Sequence, residues 1–270
     1  LICDSTLVIS APSVMAFKPI QKGIPTVLLK GYGQTGAFYD YDGLINLETE
    51  KMFDKILTIC PFLVETFNKR LGEEKYINVF YPLNKNHVTN NFEKQYDIFY
   101  SGHIYTKFPF MKHIVKQILL ENNHVCCSGP SETDGLNNIV SSHFEKLALN
   151  AASKITLSYD WQGGKMTNDV PYAYDIFNQQ HWSQYKSRTF EGFLSKSLVL
   201  HYKDDFRILE KFCQPDKHFI YFENFNDLKE KVKYILEHYD EYQPMIEEAY
   251  DHAMKNFTCE AFFNKFIKDL

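Results

Sequence analysis

Residues 185–202 read YKSRTFEGFLSKSLVLHY, in which a short helical pattern leads directly into an apolar strand. Phe190, Phe193 and Leu194 recur at the spacing of one helix face, and the run 197–202 is short and apolar. Helices that alternate with short apolar strands are typical of α/β proteins with parallel sheets. The stretch therefore predicts an α/β fold, provided that the same alternation recurs along the chain.

The alternation does recur on both sides of this stretch. The predicted strands are 6–10, 25–30, 55–59, 76–80, 97–102, 124–129, 154–159, 197–202 and 218–222. The predicted helices are 13–23, 61–72, one within 107–123, 141–152, 225–239, 242–255 and 258–269. Pro61 in the first turn and Gly72 at the end agree with the usual signals at helix termini.

The strands fall into two groups separated by a polar, Asn-rich segment at 82–95. Such aperiodic stretches are typical of linkers between domains. We predict one Rossmann-like domain at 1–88, a linker at 89–95 and a second Rossmann-like domain at 96–270. In open parallel sheets, ligands bind beyond the carboxyl ends of the strands. We therefore expect the two domains to face a cleft, with functional residues in the loops that follow the strands.

The composition excludes several classes of protein. The net charge is −5 and the pI is near 6.1, whereas a general nucleic-acid binder needs a basic face that displaces counterions from phosphates. The six cysteines form no C-x-x-C pair, and no apolar run reaches the ~18 residues of a membrane span. We expect a cytoplasmic protein with no nucleic-acid partner, no metal site and at most peripheral membrane contact.

Two loop motifs in the first half carry weaker signals. The segment 31–36, GYGQTG, has the form G-x-G-x-x-G, but loop sequence follows it instead of the helix that a dinucleotide site requires. Asp40 and Asp42 form a D-x-D pair that suits a divalent cation, although a solvated turn is the simpler interpretation. A third role is a general base that takes a proton from a hydroxyl. In that third role, Asp40 and Asp42 are our catalytic candidates.

The second half opens with DIFYSGHIYTK at 97–107, a strand followed by a glycine loop. Gly102 allows the backbone to approach a ligand closely. His103, Tyr105 and Lys107 follow on the same loop, and Lys107 is suited to meet a diphosphate as a point charge. A solvated lysine is the equal alternative. These four residues are candidates for binding a ligand.

Arg188 and Glu191 lie near the start of the helix in the quoted stretch. We predict Ser187 as its N-cap residue, so that the free N–H groups and the helix dipole form an anion site. Arg188 would add a bidentate donor to this site, and Lys186 and Thr189 belong to the same cluster. Glu191 would be free to accept hydrogen bonds from a diol such as ribose. The alternative is an Arg188–Glu191 surface ion pair worth only ~0.3 kcal/mol, and the pattern alone leaves both open.

The second half resembles the C-terminal half of GT-B nucleotide-sugar glycosyltransferases. It looks closest to the branch of CgeB-type spore-maturation proteins, which are similar to group 1 glycosyl transferases. Arg188, Phe190 and Glu191 match the R-x-F-E segment of that branch. Further matches are the apolar strand 198–200, the acidic turn 204–205, the helix 227–236 and the strand and glycine loop DIFYSGHIY. The first-half segments KGIPTVLL, FDKILTICPFLVETF and INVFYPLN resemble the later part of an acceptor domain.

The resemblance implies roles for individual residues. Glu191 matches the family's ribose-binding Glu, and Arg188 and Lys107 match groups that neutralise the diphosphate. The chain departs from the family in three places. Ser183 stands where the E-x7-E spacing of many retaining enzymes places an acidic residue, and LSKS replaces a segment that usually holds Gly. The first domain also lacks several strands, so we expect it to be incomplete.

These observations predict a metal-independent glycosyltransferase of the hexosyltransferase type. Its donor would be a nucleotide diphosphate-sugar, with a UDP-sugar expected, and its acceptor would be a glycan or another hydroxyl compound. No cofactor is expected. The alternatives on the same fold are a sugar-nucleotide epimerase and a polyol-phosphate transferase. A non-catalytic module that binds nucleotides or glycans is the alternative of a different class.

Overall fold

The computed structural model describes most of the second half of the chain and selected parts of the first. The described residues are 8–10, 26–30, 51, 53–61, 64, 68–69, 71–87, 92–104, 110–129, 132–163 and 181–268. By their contacts, the residues divide into two compact units. The first contains Leu1–Tyr81, Gln162–Gln184 and Phe266–Leu270, and the second contains Pro82–Trp161 and Tyr185–Lys265.

Eleven strands are present among the described residues. They are β1 (Val8–Ser10), β2 (Thr26–Lys30), β3 (Lys55–Thr58), β4 (Tyr76–Asn78), β5 (Tyr96–Ser101), β6 (His124–Cys127), β7 (Ser153–Ser158), β8 (Trp161–Gly163), β9 (His181–Ser183), β10 (Leu198–Tyr202) and β11 (Ile220–Phe222). The helices described are α1 (Gln117–Leu120), α2 (His143–Ala151), α3 (Ser187–Leu194), α4 (Phe225–Glu237), α5 (Gln243–Asn256) and α6 (Cys259–Phe266). A π-helical turn, Met111–Lys116, leads into α1.

The first unit contains a parallel sheet in the order β1-β2-β3-β4. The buried side chains of Ile56 and Leu57 in β3 belong to its core. Gly72 has a φ of +76°, a left-handed conformation that favours glycine at the end of a helix. The described positions within 61–71 are helical, so the prediction for this segment is confirmed at those positions.

The second unit contains a five-stranded parallel sheet in the order β11-β10-β7-β5-β6. Asn138 makes an isolated parallel bridge to Cys126 at the outer edge of β6. If Asn138 is counted as a minimal third strand, the order is the 3-2-1-4-5-6 of dinucleotide-binding Rossmann folds. The strand order then reverses between β5 and β7, and ligands bind in such sheets beyond the carboxyl ends at this reversal.

Helices cover both faces of the second sheet because its strands are apolar on both sides. On one face, Leu228, Val232 and Ile235 of α4 join the buried core of β5, β7 and β10. On the other face, α3 lies so close to the sheet that a Cβ on Gly192 would be 2.8 Å from Cγ2 of Val199. Only glycine fits between α3 and β10 at this point.

Partly buried Lys94 fixes the helix ends on the α3 side of the second unit. Its Nζ donates to the carbonyl oxygens of Ala151, Ser153 and Lys196 at 2.8–2.9 Å. These carbonyls lie at the end of α2, the start of β7 and the turn after α3. Burial lowers the pKa of Lys94 to about 8. The helices α2 and α3 are therefore tied to one another through a single ammonium group.

The predicted α/β class with parallel sheets is confirmed. Every predicted strand overlaps an observed strand, whereas β8 and β9, which pair only with each other, were not predicted. The helix predicted within 107–123 is observed as the π-helical turn and α1, and the three last helices end within three residues of the predicted ends. The predicted helix 13–23 lies outside the described residues, and the ranges 1–88, 89–95 and 96–270 stay predictions.

Candidate functional site

The candidate site lies where the strand order of the second sheet reverses. Tyr100 and Gly102 are at the carboxyl end of β5, and Tyr159 directly follows β7. Gly102 has a φ of +131°, which L-residues rarely adopt, and its N–H donates to the carbonyl of Cys127 at 3.1 Å. The chain therefore turns sharply at the position where sheets of this kind bind their ligands.

Arg188 extends from the first turn of α3 into this region. A Cβ on Gly102 would be only 2.5 Å from Nη2 of Arg188, so the glycine is required for the guanidinium to occupy its position. The guanidinium carbon lies 4.9 Å from the ring centre of Tyr100 and 4.6 Å from that of Tyr159. Cation–π attraction to two rings therefore orients Arg188 without a carboxylate.

The two tyrosines form a fixed platform for the arginine. Their hydroxyl groups are 2.9 Å apart and share a hydrogen bond, and their rings are nearly parallel. Phe110 packs edge-on against Tyr159. Burial raises the pKa of Tyr100 well above its usual value, so its phenol is neutral under ordinary conditions.

The charge on Arg188 has no acidic partner among the described residues. Nη1 of Arg188 is buried, and its N–H groups donate to no described acceptor. Burial opposes the charged form, but the hydroxyls of Tyr100 and Tyr159 outweigh burial and raise the pKa of Arg188. A permanently charged guanidinium with an unused donor is suited to bind an anionic ligand.

Glu191 does not pair with Arg188, although the two residues are three apart in α3. Its Oε1 instead accepts a hydrogen bond from Nζ of Lys146 in α2 at 2.8 Å, and the Glu191 side chain is only 2% exposed. The surface ion pair between Arg188 and Glu191, which the sequence left open, is therefore not formed. The guanidinium of Arg188 lies against Tyr100 and Tyr159, whereas the carboxylate of Glu191 pairs with Lys146.

The second oxygen of Glu191, Oε2, is buried and has no described hydrogen-bond partner. Glu191 lines a small pocket with room for about one water molecule, together with Asn84, His87 and His143. Burial lowers the pKa of His143, and the nearby charge of Lys146 lowers it further. An unsatisfied buried carboxylate oxygen is costly and calls for a water or a ligand as its partner.

The structure also describes the remaining candidates at the start of α3 and on the loop after β5. Lys186 rather than Ser187 is the N-cap residue of α3, so the predicted N-cap is wrong by one position; Lys186 has the extended backbone of an N-cap and makes no side-chain cap. Thr189 is buried, and its hydroxyl pairs with that of Ser158 at the end of β7. His103 is exposed, and a Cβ on Gly129 would be 2.6 Å from its ring.

Four candidates lie outside the described residues. These are Asp40, Asp42, Tyr105 and Lys107. Their assignment as catalytic and ligand-binding residues stays a prediction.

One group in the described part of the chain brings together typical metal ligands. Ligand atoms of Cys213, His218 and His252 lie within 4.8 Å of one another. However, the two imidazole rings are stacked with their centres 4.2 Å apart and an interplanar angle of 18°. A histidine binds a metal in the plane of its ring, so two stacked rings cannot both reach one ion at the ~2.0 Å of a Zn–N bond. The group is better explained as packing between α5 and the segment before β11.

Sequence reasoning missed three residues of the site. Tyr100 and Tyr159 are at strand ends, where a buried aromatic side chain is the usual expectation, and Lys146 is 45 residues away from its partner. Tyr159 lies two residues beyond Leu157, the residue that the strand register places opposite Tyr100, so the strand pattern only places the two tyrosines on the same side of the sheet. The contact with Arg188 requires the three-dimensional structure.

Comparison with known proteins identifies the family. Residues 112–268, more than half of the chain, match the sequence profile described as Glycosyl transferase-like. The chain belongs to this glycosyltransferase family. The matched range includes Lys146, Tyr159, Arg188 and Glu191. No curated protein sequence matches the chain, and the CgeB-type branch stays a prediction.

Solved structures of glycosyltransferases share the fold. TarM has a TM-score of 0.63 and 12% identity, over 97% of this chain and 54% of the TarM chain. Sucrose-phosphate synthase from Thermosynechococcus elongatus has a TM-score of 0.59 and 11% identity, over 97% of this chain and 72% of its own. Anabaena HepE in complex with UDP-glucose has a TM-score of 0.59 and 10% identity, over 98% of this chain and 78% of the HepE chain. These matches establish the α/β fold of GT-B glycosyltransferases, and this chain spans about half the length of TarM.

Among the described residues, no helix combines the length and apolar character needed to cross a bilayer. None of the five described cysteines forms a disulfide with another described cysteine.

Proposed function

We propose that this glycosyltransferase uses a nucleoside diphosphate-sugar, with UDP-sugar as the expected donor, and that it acts without a metal ion. The observation that carries the proposal is Arg188, whose charged guanidinium lies at the reversal of the strand order. It is oriented by Tyr100 and Tyr159 and has no described acidic partner. A diphosphate is the ligand that best matches a planar, bidentate donor at this point of the sheet.

The proposed reaction explains why a fixed cation is useful there. The bond between the sugar C1 and the oxygen of the β-phosphate breaks, and the acceptor hydroxyl oxygen forms a new bond to C1. The leaving diphosphate gains negative charge in the transition state, while the hydroxyl proton passes to a base. Arg188 stabilises that developing charge without rearranging, because its platform already holds it in place. Such a group supplies the charge that a divalent cation supplies in metal-dependent enzymes.

The other candidates have supporting roles in this proposal. Gly102 allows the diphosphate to approach the backbone, and the loop residues His103, Tyr105 and Lys107 meet its oxygens. Lys186 and Ser187 present the start of α3 to the same group. Glu191 accepts a hydrogen bond from a ribose hydroxyl with Oε2, the oxygen that has no described partner. Asp40 and Asp42 are the proposed bases for the acceptor hydroxyl.

The solved structures support the choice of donor. HepE is described in complex with UDP and with UDP-glucose. The pneumococcal O-GlcNAc transferase GtfA is described in complex with UDP and GlcNAc. These proteins share the fold at low identity, so UDP and a hydroxyl acceptor are inferences for this chain. A cytoplasmic location is likewise a prediction.

Donor turnover tests the proposal. The protein is incubated with UDP-, GDP-, CDP- and ADP-sugars, with and without a panel of glycan acceptors, in EDTA and in Mg²⁺. We expect one donor to release its nucleoside diphosphate equally well in both conditions, because no metal takes part. An epimerase would instead interconvert donor sugars without releasing the nucleotide.

An arginine substitution links the turnover to the site. Arg188→Met is expected to lower turnover about 100-fold or more, since one lost transition-state donor costs ~10²–10³ in rate. Arg207→Met is the matched control, because Arg207 is exposed and lies outside the site. Turnover that requires Mg²⁺, or an Arg188→Met variant with full activity, would contradict the proposal.

A further inference from the structure

The ion pair between Lys146 and Glu191 joins two helices beside the candidate site. We infer that Lys146 is a positioning residue for donor binding: it holds Oε1 of Glu191 so that Oε2 is presented to a donor hydroxyl. This inference rests on the proposed function. It adds a residue that makes no contact with the donor itself and acts only through Glu191.

The geometry of the two helices fixes this arrangement. The start of α2 is set by a capping box in which Ser142 and Glu145 satisfy each other's backbone N–H groups. Lys146 is the next residue, and its Nζ reaches Oε1 of Glu191 at 2.8 Å. On α3, Gly192 allows the helix to contact the sheet directly. This contact fixes the distance of the neighbouring Glu191 from the sheet. Both partners are therefore anchored by independent local features.

The two carboxylate oxygens have different environments. Oε1 has a charged partner, whereas Oε2 is buried without a described one. A carboxylate that only braced two helices would be expected to have both oxygens satisfied, because an unmade buried hydrogen bond costs free energy. A ligand hydroxyl would complete the set. The asymmetry leaves Oε2 as an acceptor for a water or for a ligand hydroxyl, and a measured effect of Lys146 on ligand binding separates these two roles.

None of the described polar groups around Glu191 is a hydrogen-bond partner of its Oε2. From α2, Lys146 and His143 face the carboxylate, and from the turn Lys85–His87 the ring of His87 contacts that of His143. The thiol of Cys127, at the end of β6, is near both charges, and burial raises the pKa of that thiol. Arg188, on the same helix as Glu191, is directed to Tyr100 and Tyr159.

A double-mutant cycle measured by UDP titration tests the inference. The dissociation constant for UDP is determined calorimetrically for wild type, Lys146→Met, Glu191→Gln and the double variant. We expect each single substitution to weaken UDP binding about 10-fold, the worth of a hydrogen bond to a charged group. Because Lys146 acts through Glu191, the double variant is expected to match Glu191→Gln within about 2-fold.

Further variants separate positioning from folding. Lys229→Met is the matched control, because Lys229 forms an ion pair of the same 2.8 Å length with Glu121 at an exposed position, and its UDP affinity should equal that of wild type. Lys146→Arg keeps the charge and should restore most of the affinity. If Lys146→Met fails to fold, Lys146→Gln replaces it in the cycle, since glutamine retains an N–H donor without the charge.

Two outcomes would overturn the inference in distinguishable ways. If Lys146→Met lowers the melting temperature but leaves UDP affinity unchanged, or if the two substitutions weaken binding independently, Lys146 only braces the helices. The proposed function would survive either result. If wild type binds neither UDP nor another nucleoside diphosphate, the proposed function fails and the inference fails with it.

Discussion

At the scale of single residues, the spacing of Arg188 and Glu191 is misleading. Residues three apart on a helix are neighbours and usually pair when their charges are opposite. Here the two side chains diverge, Arg188 toward two tyrosine rings and Glu191 toward Lys146. The divergence leaves each charged group with an unused polar atom. If Arg188 and Glu191 were paired with each other, these donor and acceptor atoms would be used in the pair and would not be available to a ligand.

Gly102 provides a test at the same scale. Gly102→Ala is expected to destabilise the protein by about 1–3 kcal/mol, because alanine is strained at a φ of +131° and its Cβ would be 2.5 Å from Arg188. The same clash should displace Arg188 and weaken UDP binding about 10-fold or more. Thermal unfolding and UDP titration measure the two effects.

Gly72→Ala is the control for this substitution. Gly72 also has a positive φ, +76°, but a Cβ there would meet no atom within 4 Å. We expect a loss of stability of about 1 kcal/mol and no change in UDP affinity. Equal effects of Gly102→Ala and Gly72→Ala on UDP binding would show that Gly102 has no role in placing Arg188.

At the scale of elements, α3 depends on its close contact with the sheet. Alanine is favoured over glycine within helices by up to about 1 kcal/mol, so propensity alone predicts that Gly192→Ala stabilises the protein. The structure predicts the opposite, because the new Cβ would be 2.8 Å from Val199 and 3.1 Å from Thr156. We expect a net loss of about 1–3 kcal/mol, measured by denaturant unfolding. A stabilised variant would refute the close packing of α3.

The stacked pair of His218 and His252 connects α5 to the segment before β11. Burial, together with the neighbouring His252 and Lys217, lowers the pKa of His218 to about 4, against the opposing effect of Glu248. The unfolded chain binds a proton at His218 near pH 6.5, whereas the folded chain does so only near pH 4. The folded state therefore loses stability as the pH falls through this range, on the order of 2 kcal/mol once the ~3.4 kcal/mol of the full pKa difference is reduced for solvent screening.

His218→Gln tests this pH dependence. We expect the variant to lose less stability than wild type between pH 6.5 and pH 4, as followed by urea unfolding at several pH values. His113→Gln is the control, because His113 is exposed and should leave the wild-type slope unchanged. A His218→Gln variant with the wild-type slope would show that another group governs acid unfolding.

The elements differ in how well the sequence predicts them. Strands such as β5, β7 and β10 are short apolar runs bounded by polar residues, so the sequence pattern was sufficient to predict them. The start of α3 was misplaced by one residue because Ser187 is the commoner N-cap type, whereas the backbone turns at Lys186. The strand β9 contains His181 and Ser183 and has no apolar pattern, so only its pairing with β8 reveals it.

At the scale of the whole molecule, the fold class and the family agree with the sequence. The alternation of helices and strands predicted parallel sheets, and the strand order observed in the second unit places Arg188 at its reversal. Which residues meet there was only partly predictable. Loop positions such as Gly102 follow from the strand pattern, while the tyrosine platform and Lys146 depend on contacts between distant segments.

The whole molecule should respond to a bound nucleotide, since a ligand that binds only the folded state stabilises it. At 100 times its dissociation constant, a ligand adds about 2.7 kcal/mol to the free energy of unfolding. This gain is independent of any acceptor or turnover. It therefore tests directly whether Arg188 belongs to a metal-independent diphosphate site.

The most direct measurement is thermal unfolding in EDTA with and without UDP, for wild type and Arg188→Met, with UMP as the ligand that lacks the second phosphate. We predict that UDP raises the melting temperature of wild type more than UMP does. We also predict that Arg188→Met abolishes this difference between the two ligands. If UDP and UMP stabilise wild type equally, or if Arg188→Met keeps the full response to UDP, the guanidinium does not bind the diphosphate and the proposed donor site is wrong.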